Sequence, residues 1–179
     1  MHQLIKSTCL ILLALALLVG FEGCGFALRK PVEIPFKSIY GNFSDISPFG
    51  QALRKTILAS GNVELITDPK RLDQAQIILE VLHEQRDKII LGRTASGTVN
   101  AYQLRIMISF KLRTPEGMEL IPETEISLFR DMSFNETIVL AKDAEEQLLY
   151  RNMQSDVAEQ IMRRLASAGK KWSGEQPAY

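Results

Sequence analysis

The chain has 179 residues, with 21 basic and 21 acidic side chains and a formal net charge of zero at pH 7. That balance argues against a nucleic-acid-binding domain, which needs a strong basic excess. Only two cysteines and two histidines are present; Cys9 and His2 lie near the start, which leaves Cys24 and His83 without a second thiol or imidazole. A disulfide, a zinc site or a histidine-based catalytic pair would need such a partner, so no metal, cofactor or enzymatic activity is expected.

The first element is a leader. Met1, His2 and Lys6 precede an apolar run from Leu10 to Val19, the layout of a secretory signal peptide. As a helix that run extends only about 15 Å, half of a roughly 30 Å hydrocarbon core. The string Phe21-Glu22-Gly23-Cys24 is similar to the Leu-Ala-Gly-Cys of bacterial lipoprotein signals, although Glu22 departs from it. Residues 1–23 are therefore expected to be removed and Cys24 lipidated, the alternative being an exported protein with a spare thiol. Each acyl methylene buried in a membrane contributes about 0.8 kcal/mol, and more than one chain anchors stably. Gly25, rather than Asp, after the cysteine resembles the pattern of outer-membrane lipoproteins.

Residues 24–35, with Pro31 and Pro35, read as a tether. Phe36 to Phe43 reads as a strand, with Phe36, Ile39 and Tyr40 supplying β-favouring bulk. Ser47 before Pro48 is a helix-start signal; Phe49, Leu53 and Ile57 make a stripe, and Gly61 stands where a left-handed cap belongs. The spacing predicts a helix over 48–60. Val63 to Ile66 is a short strand or an extended link. From Gln76 apolar residues occur on both parities, as in an interior strand, which continues through Ile89-Ile90-Leu91; His83 is read as a solvent-facing member of it. Gly92 to Ala101 has no apolar period and is expected to be an exposed loop.

Tyr102, Leu104, Ile106, Ile108, Phe110 and Leu112 then alternate with polar residues, the cleanest period of two in the chain. Pro115-Glu116-Gly117 makes a turn, and Glu119 to Asp131 returns as a strand. Arg105, Lys111 and Arg113 are expected to pair across the hairpin with Glu119, Glu123 and Glu125. Leu140 to about Ala166 is a long helix with a stripe of Leu149, Met153, Val157, Ile161 and Leu165. Residues 169–179 read as a disordered tail. The order predicts an α+β fold over residues 36–168: a two-layer sandwich with two helices on one face of a mostly antiparallel or mixed sheet of about four strands.

Three blocks carry a resemblance. They are Cys24-Gly25-Phe26-Ala27-Leu28-Arg29, the stretch from Arg93 to Tyr102-Gln103-Leu104, and Leu140-Ala141-Lys142-Asp143-Ala144-Glu145. In this order and spacing the chain resembles the LptE (rare lipoprotein B) family of lipopolysaccharide-assembly lipoproteins. The resemblance implies an outer-membrane lipoprotein that plugs the β-barrel LptD, aids its assembly and helps deliver lipopolysaccharide to the cell surface. It also implies lipopolysaccharide binding through a loop arginine and a lysine near the start of the last helix, which map to Arg93 and Lys142. The loop here is longer than is usual in the family, and Ala101 replaces a common acid. The chemistry is coherent: lipid A and the inner core are dense with phosphate, which a guanidinium fork and an ammonium recognise through charge-assisted hydrogen bonds. The competing expectation is an envelope-binding lipoprotein of another system, with the same anchor and sandwich but no barrel partner.

Overall fold

The computed structural model describes Val32, residues 34–61 and residues 63–175. The leader, Cys24 and the Cys24–Arg29 block lie outside the described residues. The elements are β1 (Ser38–Asn42), α1 (Pro48–Ala59), β2 (Glu64–Ile66), β3 (Ile77–Arg93), β4 (Val99–Arg113), β5 (Glu119–Ser133) and α2 (Val139–Glu175). Short 3-10 turns at Pro69–Gln74 and Glu136–Ile138 precede β3 and α2. The five strands form one sheet in the order β2-β1-β3-β4-β5. β1 runs parallel to β2 and β3, and β3, β4 and β5 are antiparallel neighbours.

The α+β sandwich has one strand more than the expected four or so, because Glu64–Ile66 pairs with β1. α1 starts as its sequence dictates: Gly50 N–H donates to Ser47 Oγ at 2.9 Å, with Pro48 in the first turn. Gly61 follows its end at φ +76°, a conformation that glycine adopts without steric cost. Phe49, Leu53 and Ile57 are fully buried, as are Leu104, Ile106, Ile108, Phe110 and Leu112 of β4 and Met153, Val157, Ile161 and Leu165 of α2. Both helices thus share one core on one face of the sheet. The β4 row alone contributes about 10 kcal/mol of gross hydrophobic stabilisation, before conformational entropy opposes it. On the opposite face a small cluster of Tyr40, Ile66, Ala75 and Ile78 is covered by Leu72 from the 3-10 turn.

β3 contains a bulge. Val81 faces Phe110 and His83 faces Ser109, leaving Leu82 as the extra residue. The helix-facing row therefore changes from Ile77, Leu79 and Val81 to Glu84, Arg86 and Lys88, which lie opposite Ile108, Ile106 and Leu104. One inserted residue is enough to exchange the two faces of a strand. His83 is exposed on the outer face, its Nε2 3.1 Å from Gln85 Oε1.

Three expectations change. The loop expected over Gly92–Ala101 shrinks to residues 94–98, because β3 runs to Arg93 and β4 begins at Val99. Bulges at Leu91 and Asn100 interrupt the alternation there, which hides the strands from a periodicity reading. The helix expected to stop near Ala166 continues to Glu175, replacing disorder with helix over 169–175. Trp172 supplies the reason: its ring packs 5.7 Å from that of Phe36. The final residues of the expected tether join the same contact, with Ile34 buried in the core and Val32 half-buried against it. Third, Lys111 and Arg113 do not pair with acids of β5. They converge on Glu80 of β3, at 3.0 and 2.8 Å.

Burial pushes the Glu80 carboxyl up, but the hydrogen bonds and charges of Lys111 and Arg113 outweigh that and hold it below the ordinary glutamate value. A group with a depressed folded pKa stabilises the fold above its unfolded value of about 4.3, and that contribution is lost as pH falls through the folded value. Glu80→Gln should therefore cost about 1–3 kcal/mol at pH 7, read by urea unfolding, and the deficit should shrink towards pH 3. An equal deficit at both pH values would contradict this. Where the C-terminal part of α2 meets the residues before β1, a Cβ on Gly169 would lie 2.2 Å from Pro35 Cγ and 2.9 Å from the Phe36 ring. Gly169→Ala should lower stability by about 1–3 kcal/mol and increase proteolysis of the N-terminal segment; wild-type resistance would show that the contact is dispensable.

Candidate functional site

The end of β3, the start of β4, the end of β5 and the start of α2 meet at one tip of the domain. Gly92 and Ser133 both face Ala101, from opposite sides of β4. Two strand spacings place their backbones about 10 Å apart. Arg93 follows the first of these residues, and Lys142 reaches the second: its Nζ donates to Ser133 Oγ at 3.1 Å. The two cations assigned by resemblance thus share one end of the sheet.

Their settings differ. Arg93 is exposed and ends a strand rather than riding on a long loop. Its Nη1 donates to Gly97 O at 2.9 Å, and the five-residue turn is closed by Thr94 N–H to Thr98 O at 2.8 Å and Gly97 N–H to Thr94 O at 2.9 Å. Most of the guanidinium fork is left to solvent. The Lys142 side chain is only 12% exposed and is also held by Glu145, 2.8 Å away. An anion approaching Lys142 meets an ammonium that already has a carboxylate partner.

A second group of residues stands behind this pair. Lys88 Nζ lies 2.6 Å from Glu146 Oε2 and 4.4 Å from the centroid of the Tyr102 ring. Tyr102 meets Phe134 edge to face at 5.2 Å. Arg86 lies over the Tyr150 ring at 4.3 Å, and the Tyr150 hydroxyl donates to the Asp87 carbonyl at 2.7 Å. Burial, followed by the nearby Glu146 charge, pushes the Tyr150 pKa up, so the phenol stays protonated as a donor. These contacts bind the first turns of α2 to the far half of β3. The sequence reading did not single out Lys88, Glu146 or Tyr150. Lys88 is visible only as the last residue of the polar stretch 83–88 between two apolar runs of β3, and nothing local marks Glu146 or Tyr150.

Two apolar runs flank the cations. Ile89, Ile90 and Leu91, near the end of β3, are 41–53% exposed, and Ile138, Val139 and Leu140 are exposed in the chain segment that enters α2. Exposed apolar surface grouped with cations is the signature of an interaction site rather than of an ordinary solvated surface. Among the described residues no cluster of metal-ligating side chains occurs, and no helix is long and apolar enough to cross a membrane.

Comparison with known proteins identifies the family. The model of the LptE family, described as lipopolysaccharide-assembly, matches residues 36–165. An LPS-assembly lipoprotein LptE from Yersinia enterocolitica is 30% identical over 159 residues, covering 87% of this chain and 74% of the relative. Another from Pectobacterium atrosepticum is 29% identical over 161 residues, covering 87% and 83%. The solution structure of lipoprotein B from Nitrosomonas europaea superposes with a TM-score of 0.67 at 29% identity, over 87% of this chain and all of that one. Rare lipoprotein B from Shewanella oneidensis shares the fold, with a TM-score of 0.64 at 21% identity, over 76% of this chain and 98% of that one. With its family match running from the strand that opens the sheet to the last buried leucine of α2, the chain belongs to the LptE family of lipopolysaccharide-assembly lipoproteins.

Proposed function

We propose that this protein is held at the outer membrane by a lipidated Cys24, occupies the lumen of the LptD barrel, and receives lipopolysaccharide at the tip that carries Arg93 and Lys142. The observation that carries this reading is the meeting of two cations and two exposed apolar runs at one end of the domain. Lipopolysaccharide has phosphates to suit the first and acyl chains to suit the second. A guanidinium with free donors favours bidentate phosphate contact, and an ammonium adds a compact charge.

The barrel assignment draws on family membership and on the shape of the tip. Beyond Leu82 the domain narrows to three strands and the first half of α2. From Leu82 to Arg93, the end of β3, this part extends about 35 Å along the strand direction. That slim section suits insertion into a wide barrel.

Purification from native envelopes in mild detergent should recover LptD as the stoichiometric partner. Arg93→Asp/Lys142→Asp should retain the barrel while weakening lipopolysaccharide binding by about ten-fold or more, since each lost charged hydrogen bond removes a sizeable part of the affinity. Recovery without a barrel refutes the partner, and undiminished binding refutes the site. Mass spectrometry of the mature N-terminus should find Cys24 acylated, and Cys24→Ser should release the protein from the membrane fraction; an unmodified Cys24 would remove the anchor.

A further inference from the structure

The tip contains two lysines with the same arrangement of partners. Lys142 has one acid, Glu145 at 2.8 Å, and one neutral partner, Ser133 Oγ at 3.1 Å. Lys88 has one acid, Glu146 at 2.6 Å, and one neutral partner, the Tyr102 ring at 4.4 Å. The two acids are consecutive residues of α2, while the lysines come from α2 and β3. If the carboxylates leave, each ammonium keeps its neutral anchor.

We propose that Glu145 and Glu146 are built-in competitors that occupy the ammonium groups of Lys142 and Lys88 until an anionic lipid headgroup displaces them, and that Lys88 is a binding residue of the tip. This rests on the reading of the tip as the lipopolysaccharide site. One member of each pair stays open to solvent, Glu145 at 44% and Lys88 at 34% exposure, so water and salt screen part of the attraction. A phosphate oxygen cluster carries more charge and more acceptors than a carboxylate and competes well for the same ammonium. The neutral partners matter for the exchange. The Ser133 hydroxyl accepts from Lys142, and the face of Tyr102 attracts Lys88 through its quadrupole, so both side chains stay aimed when the acids swing away. The acids also repel an incoming phosphate, so the free protein has low affinity for stray anions. Only a ligand that engages Arg93 and both lysines together overcomes the competition.

The test uses the full-length processed protein and purified lipopolysaccharide. Glu145→Gln/Glu146→Gln should bind about five-fold more tightly than Glu123→Gln/Glu125→Gln, a factor equivalent to about 1 kcal/mol. The second variant makes the same change in net charge at exposed positions of β5, so it reports the long-range field alone. Lys88→Gln should weaken binding about five-fold, by the same conversion, while Lys88→Arg, which keeps the charge, retains it. Affinity that rises no further than in the β5 control, or that falls, overturns the competition. Equal binding by Lys88→Gln and Lys88→Arg overturns the role of Lys88. If either result is accompanied by weak binding in Arg93→Asp/Lys142→Asp, the tip remains the site; full binding by that variant removes the site and the competition together.

Discussion

Leu82, inserted into β3 without a counterpart on β4, changes which side chains of that strand face the helices. Before it the helix-facing row is Ile77, Leu79 and Val81, which belong to the core beneath α1 and α2. After it the row is Glu84, Arg86 and Lys88, which cannot be buried without partners. The first half of α2 therefore attaches to that part of the sheet through polar and aromatic contacts: Lys88 with Glu146, Arg86 over Tyr150, and the Tyr150 hydroxyl to Asp87 O. A strand of uniform parity would have turned His83, Gln85 and Asp87 towards the helices instead, and Arg86 and Lys88 away from α2.

α2 connects the two halves and is the longest element, with 37 residues. Its middle is buried through Met153, Val157, Ile161 and Leu165. Near its C-terminal end, Gly169 and Trp172 close on Pro35 and Phe36; near its start, Lys142 reaches the end of β5. From Lys142 to Gly169 the helix rises about 40 Å. The candidate ligand tip and the place where the described chain begins are therefore at opposite ends of one rigid rod.

Much of the fold was legible as pattern. The alternation from Tyr102 to Leu112 and the four-residue stripe of α2 reappear as largely buried rows, and Ser47-Pro48 starts α1. These are local consequences of period and capping. The reading failed where periodicity is broken or absent. Bulges at Leu91 and Asn100 scrambled the alternation and made two strand ends look like a loop. The Lys-Lys-Trp-Ser-Gly stretch of residues 170–174 looks like a polar tail, yet Trp172 finds Phe36 across the fold and the helix continues. The partner of Lys111 and Arg113 was sought on the following strand and found on the preceding one, in Glu80.

The candidate site divides along the same line. The family blocks, the residue types suited to phosphate and the two-layer architecture are written in short-range spacing and composition. That Arg93 and Lys142 lie at one tip, that Lys142 is largely buried and already paired, and that Lys88 has a similar set of partners all emerge only once the chain is folded. Those facts depend on strand register and on a helix crossing a sheet some 50 residues away in the chain. Long-range pairing of this kind leaves no local pattern, since each participating residue looks like an ordinary surface charge until its neighbour is brought to it.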